Sequence, residues 1–114
     1  MSKNSLNQQQ TIELNRLLLM KSNRIEKKAY RRAELVRINP KSFKDAKQVA
    51  KELKNYNAVI INFEKVTDKE ATRIMDFLSG VLYAMGGKHK RLTDRSFFLT
   101  PIPNLSEKFS TSIE

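Results

Sequence analysis

The stretch AVIINF, residues 58–63, decides the fold because it is a run of mostly β-branched apolar residues. Such a run predicts a strand that is buried on both faces of a sheet. Two amphipathic stretches flank it: SFKDAKQVAKELKNY starts at residue 42, and TRIMDFLSGVLYAMGG starts at residue 72. Each places apolar residues at helical spacing along one side. The sequence therefore predicts two helices that cover a sheet built around residues 58–63.

Capping signals mark the ends of both predicted helices. Ser42 and Asp45 form a variant of the capping box, and Thr67 and Glu70 form a true one. Gly86 and Gly87 are expected to close the second helix, as left-handed C-terminal caps commonly do. The first helix is therefore predicted to begin at residue 42, and the second to open at the box of residues 67–70 and to close at the two glycines, 86 and 87.

Three further strands are predicted around this centre. ELVRIN, residues 34–39, precedes the first helix, and short strands at 90–92 and 96–100 follow the second. The resulting order β-α-β-α-β-β predicts an α/β (α+β) two-layer sandwich, in which two helices lie on one face of a mixed sheet. Residues 102–114 are left open between an edge strand, a short helix and no regular structure.

The chain is strongly basic, and the excess lies toward its start. It has 114 residues and a formal net charge of +10, of which residues 1–40 supply +6, nine Lys/Arg against three Asp/Glu. We therefore divide it into a polar lead with a basic amphipathic arm, 1–32, and a core domain, 33–114. A basic arm suggests an anionic partner, which could be nucleic acid, lipid or an acidic protein surface.

Catalytic, metal and cofactor signatures are missing from the sequence. His89 is the only histidine, there is no cysteine, and three glycines cannot form a phosphate-binding loop. We expect a non-enzymatic protein without a metal or a cofactor. No apolar run reaches membrane-spanning length, and the start MSKNSLNQQQ lacks the apolar core of a secretory signal, so a cytoplasmic location is expected.

The second helix has a second partly apolar side. Arg73, Phe77, Gly80 and Ala84 lie together on it, away from the stripe that faces the sheet. Glycine in a helix interior costs about 1 kcal/mol relative to alanine, which asks for a compensating role. Either Phe77 packs under the arm or the first helix, or this side is a contact between subunits that Gly80 allows to be close.

Two binding functions compete for the basic residues. The arm, 11–32, could lie on an anionic membrane, or it could be a solvated helix that packs loosely on the domain or on another copy. Its candidate membrane-facing residues are Leu14, Leu17, Leu18, Lys21, Arg24 and Ile25. Alternatively, GKHKRLTDRSFF mixes cations with aromatic residues, as single-strand nucleic-acid binders do.

Residues 36–101 resemble the core domain of SepF, a family of bacterial cell-division proteins. The motifs are P-x-S-F-x-D-A, AVIINF, A-x-R-I-x-D-F-L-S-G, YAMGG and FFLTP, in the order and at the spacing of that family. The resemblance implies an adaptor that tethers the tubulin-like division protein FtsZ to the membrane at the division septum. It also implies a dimer of two-layer domains that polymerises through helix contacts, which would assign the second side of the glycine helix to self-assembly.

The same resemblance implies a site for the C-terminal peptide of FtsZ. The matching positions are Arg91, Phe97 and Ala71, and Arg95 could add a cation beside them. The N-terminus departs from the family pattern, in which a membrane helix at the extreme end precedes a long linker. Here the basic arm runs almost directly into the first strand, so either it performs the anchoring or anchoring is lost. A basic nucleic-acid-binding module remains the alternative function.

Overall fold

The computed structural model describes residues 7–11, 27–102 and 104–112. The candidate membrane residues of the arm, between Leu14 and Ile25, lie outside these ranges. Residues 8–11 and 27–32 are helical. The remaining elements are β1 (Leu35–Ile38), a 3-10 turn (Phe43–Asp45), α1 (Ala46–Lys54), β2 (Ala58–Asn62), α2 (Asp68–Met85), β3 (Lys88–Thr93), β4 (Ser96–Thr100) and α3 (Leu105–Lys108).

The four strands form one mixed sheet in the order β1-β2-β4-β3. β1 and β2 are parallel, and β4 is antiparallel to both of its neighbours. One row across the sheet pairs Ile38 with Ile61, Ile61 with Phe97, and Phe97 with Arg91. The predicted β-α-β-α-β-β order and mixed sheet are confirmed.

Both long helices pack on one face of this sheet, as predicted. They bury Val49 and Leu53 of α1 and Ile74, Leu78 and Leu82 of α2 against that face. The facing strand residues include Val59, Ile61 and Leu99, which are fully buried. Burial of each such side chain contributes about 1.5–3 kcal/mol, so this layer stabilises the domain strongly.

The opposite face of the sheet is covered by the two segments that come directly before β1 and after β4 in the sequence. Ala29 and Ala33 from the N-terminal side, and Leu105 and Phe109 from the C-terminal side, pack there with Phe98. Of the three alternatives left open for residues 102–114, the structure shows the short helix, α3. The division of the chain at residue 32 stays a prediction, although Ala29 packs with residues of the core domain.

Lys108 connects these two segments by hydrogen bonds. Its Nζ donates hydrogen bonds to the carbonyl oxygens of Tyr30, Arg31 (3.2 Å) and Ala33 (3.0 Å). Tyr30 and Arg31 lie in the last turn of the helical segment 27–32, where carbonyls lack N–H donors from a following turn, and Ala33 comes directly after it. A cation at this end also interacts favourably with the helix dipole.

Two of the three capping predictions hold. The N–H of Glu70 donates to Thr67 Oγ1 (3.2 Å) at the start of α2, and Gly86 ends α2 with a φ of 74°. The predicted box at Ser42 is wrong. Asp45 Oδ2 accepts from the N–H of Lys41 (2.8 Å), and Ser42 makes no side-chain cap, because the chain enters α1 through a 3-10 turn.

Candidate functional site

A cavity of about 320 Å³ opens where α2 passes the ends of β3 and β4. All four residues predicted for peptide binding line it: Ala71, Arg91, Arg95 and Phe97. They come from three different elements and the turn between β3 and β4. The strand order brings them together, because β4 lies between β2 and β3 and its Phe97 is the direct partner of Arg91.

Phe97 and Phe98 are adjacent in sequence but lie on opposite faces of the sheet, as alternation along a strand requires. Phe98 is buried in the second face, whereas Phe97 is half-buried on the helix face and lines the cavity. The ring of Phe97 meets that of Phe63 edge-to-face, with centroids 5.9 Å apart. Phe97 is therefore both part of the packed layer and an apolar surface available from the cavity.

Arg91 is exposed and lies over this apolar surface. Its Cζ is 5.0 Å from the centroid of the Phe97 ring, within the range of a cation–π contact. Such a contact orients the guanidinium beside the cavity while leaving its donors available. His89 lies on the same side of β3, and its ring centroid is 6.5 Å from that of Phe97.

Arg95 is used differently, because its guanidinium is bonded inside the protein. It pairs with Asp68 at the start of α2 and donates to the carbonyl oxygens of Phe63 and Val66 (2.6 Å). These bonds tie the β3–β4 turn to the loop between β2 and α2. Arg95 thus forms a wall of the cavity, and a ligand would have to compete with three internal acceptors for it.

Carboxylates at the cavity were missed by the sequence analysis. Asp68, Asp76 and Asp94 line it together with the two arginines, so its formal charges are mixed. The spacing of Asp68, Thr72 and Asp76, at i, i+4 and i+8, places them along one flank of α2 and could have revealed this side. The cavity therefore suits a ligand with an apolar group and charges of both signs better than a polyanion.

For the second side of α2 the sequence left two alternatives, packing of Phe77 within the chain or a contact between subunits, and the structure has features of both. Phe77 packs edge-to-face on Phe43 at 5.8 Å, and the guanidinium of Arg73 lies 4.5 Å from the Phe43 ring centroid. Phe77 nevertheless remains 41% exposed. A Cβ added to Gly80 would meet no atom within 4 Å, so the described chain leaves open space there. Ala84 is also exposed.

Among the residues that the structure describes, no helix is long and apolar enough to cross a membrane.

Known proteins resemble this chain over the region that forms the sheet and its two helices. Curated cell division proteins SepF match it at 44% identity in Lactobacillus gasseri and 41% in Halalkalibacterium halodurans, each over 69 residues. These matches cover 60% of this chain and 48% and 46% of the relatives. The chain therefore spans about half the length of the curated relatives it matches.

Solved structures share the fold. SepF-like proteins from Pyrococcus furiosus and Archaeoglobus fulgidus superpose with TM-scores of 0.55 and 0.57, at 23% and 13% sequence identity. Each superposition covers 60% of this chain, and 87% and 86% of the respective structures. The model of the family "Cell division protein SepF" matches residues 35–102, from the start of β1 to just after β4. The chain belongs to the SepF family of cell division proteins.

Proposed function

We propose that this protein is a non-enzymatic division adaptor that binds the C-terminal peptide of FtsZ in the cavity between α2 and the ends of β3 and β4. The observation that carries the proposal is the convergence of Ala71, Arg91 and Phe97 on one opening. These positions are far apart in sequence, and they are the positions that match the family's peptide site.

The cavity has the composition that recognition of a short peptide requires. Phe97 offers an apolar anchor surface, and aromatic residues and arginines are enriched at the energetically dominant positions of interfaces. Arg91, exposed beside it, supplies a cation for a peptide carboxylate or carbonyl group. Asp76 and Asp94 add acceptors for basic groups of a peptide, and Arg95 holds the wall in place.

We further propose that copies of the chain associate through the second side of α2. The half-exposed Phe77 beside the open space at Gly80 supports a close approach of another backbone. In this proposal Arg73 and Ala84 border the contact. The arm, 11–32, attaches the assembly to the inner face of the membrane at the septum.

Titration of the purified protein with the C-terminal peptide of FtsZ from the same organism tests the proposal. Phe97→Ala and Arg91→Glu are expected to abolish binding while circular dichroism stays unchanged. Lys90→Glu is the matched control: it makes the same charge change on β3, but its side chain points to the other face of the sheet. Wild-type affinity in both cavity variants would contradict the proposed site.

A nucleic-acid-binding module is the second candidate function, supported by the exposed cations Lys27, Lys28, Arg31 and Arg32. Such binding would weaken steeply with salt because it releases counterions from the phosphates. The peptide complex, with its apolar anchor, is expected to survive moderate salt. Oligonucleotide binding with a steep salt dependence, together with no peptide binding, would favour this alternative.

A further inference from the structure

The two ends of the sheet differ in character. At one end, which we call the arm end, Leu35 pairs with Ala58 and Lys88 pairs with Thr100. Three residues join α1 to β2, and two join α2 to β3, so both helices finish at this end. The peptide cavity lies at the other end, where Phe97 pairs with Arg91.

Cations outnumber carboxylates at the arm end. Its exposed basic residues come from the helical segment 27–32, the last turn of α1 and the start of β3: Arg31, Arg32, Lys51, Lys54 and Lys88. Two carboxylates, Glu34 and Glu52, lie near them, and Glu52 accepts a hydrogen bond from Asn57 Nδ2 (3.0 Å). In the part of the chain that the structure describes, the five cations form no ion pair, whereas Arg95 at the cavity end does.

Two exposed tyrosines accompany these cations. Tyr83, in the last turn of α2, is 88% exposed. Tyr56, just after α1, is 38% exposed and has a φ of 65°. This left-handed conformation ends α1, because the N–H of Tyr56 donates to the carbonyl oxygen of Leu53 (2.9 Å) and the N–H of Asn57 donates to that of Glu52 (3.0 Å). The two tyrosines therefore lie at the ends of α1 and α2, beside the cations of the arm end.

We propose that the arm end is a second membrane-contact surface, formed by Lys51, Lys54, Lys88, Tyr56 and Tyr83 of the folded domain and continuous with Arg31 and Arg32 at the end of the arm, 11–32. It would lie against an anionic bilayer, with its lysines and arginines near the lipid phosphates and Tyr56 and Tyr83 at the level of the headgroups. Each cation near such a surface favours binding, and tyrosine is enriched at membrane–water interfaces. The inference rests on the tethering part of the proposed function.

The same geometry orients the peptide site. Asp68 lines the cavity and Tyr83 lies further along α2, about 22 Å away at 1.5 Å per residue. With the arm end against lipid, the cavity opens on the side of the domain that faces away from the bilayer. A bilayer fits this surface better than a nucleic acid, because tyrosines at the ends of two separate helices form no continuous stacking platform along a strand.

Binding of the full chain to lipid vesicles tests whether the cations of the arm end contact an anionic membrane. The probes are vesicles of phosphatidylglycerol with phosphatidylcholine, and vesicles of phosphatidylcholine alone. Lys51→Gln/Lys54→Gln is expected to weaken sedimentation with the anionic vesicles about 5- to 30-fold, as the loss of two surface cations predicts. The matched control Lys44→Gln/Lys47→Gln removes two exposed lysines from the start of the same helical stretch, toward the cavity end, and is expected to change binding less than 2-fold.

The chain has no tryptophan, so a single one can report on depth. In Tyr83→Trp, we expect the tryptophan emission to shift to the blue on anionic vesicles and to be quenched by brominated lipid. In Lys69→Trp, at the exposed start of α2, we expect the emission to stay unchanged. The proposal would be overturned if the two lysine pairs changed vesicle binding equally. It would also be overturned if the emission of Tyr83→Trp did not shift on vesicles, or shifted only with an oligonucleotide. A titration of Lys51→Gln/Lys54→Gln with the FtsZ peptide distinguishes this proposal from the proposed peptide site, because the peptide affinity of this variant should not change.

Discussion

Arg91 and Phe97 are direct partners across β3 and β4, and the guanidinium of one lies 5.0 Å from the ring centroid of the other. This pair places a cation and an apolar surface side by side at the mouth of the cavity. We expect the pair to act as one recognition unit for the proposed peptide ligand. A change in the exposed Arg91 should then affect ligand binding more than folding, whereas a change in Phe97 should affect both.

Arg91→Gln is expected to weaken binding of the FtsZ peptide about 10-fold or more, since a hydrogen bond to a charged group contributes about 1.5–3 kcal/mol. The melting temperature should hardly change because Arg91 is exposed. Isothermal titration calorimetry and thermal melts measure the two quantities. Lys90→Gln serves as the control, and an equal loss of affinity there would mean that only the overall charge of β3 matters.

Arg95→Gln is expected to act mainly on stability. It removes the hydrogen bonds to the carbonyl oxygens of Phe63 and Val66, which should lower the free energy of unfolding by about 2 kcal/mol. Asp68→Asn removes only the exposed partner of the ion pair, so it should cost less than about 1 kcal/mol. Urea titration of both variants decides the order, and a larger effect of Asp68→Asn would contradict this account.

Lys108→Met is expected to loosen the helical segment 27–32 from the sheet. The methionine keeps an unbranched apolar chain but cannot donate to the carbonyl oxygens of Tyr30 and Ala33. We expect amide exchange of residues 27–33 to become faster, while that of α2 stays slow because its packing is unaffected. Hydrogen exchange with mass spectrometry measures this, and unchanged protection of residues 27–33 would show that apolar packing alone holds the segment.

Substitutions at Gly80 separate helix stability from assembly. Gly80→Ala should raise the free energy of unfolding by up to about 1 kcal/mol, because the site is open and alanine favours a helix interior. Gly80→Lys should also fold but should prevent close contact between subunits. Light scattering compares particle size across the three proteins. An unchanged size for Gly80→Lys would remove the assembly role of this side of α2.

Much of the fold could be predicted from sequence because its signals are local. The apolar run at 58–63, the hydroxyl of Thr67 and the left-handed Gly86 each act within a few residues, and all three predictions are confirmed. The Ser42 box failed because Asp45 Oδ2 accepts from the N–H of Lys41 and the Ser42 side chain makes no cap bond. The family resemblance also followed from sequence, since its motifs are contiguous.

Only the tertiary structure decided which distant residues meet. The insertion of β4 between β2 and β3 joins Ala71 to the Arg91–Phe97 pair, and no short-range pattern specifies that strand order. Arg95 looks like a binding cation in the sequence, but burial of the Phe63 and Val66 carbonyls gives it internal partners. Lys108 reaches a carbonyl 78 residues earlier in the chain. Such contacts depend on the packing of whole layers, so periodicity and capping rules cannot reveal them.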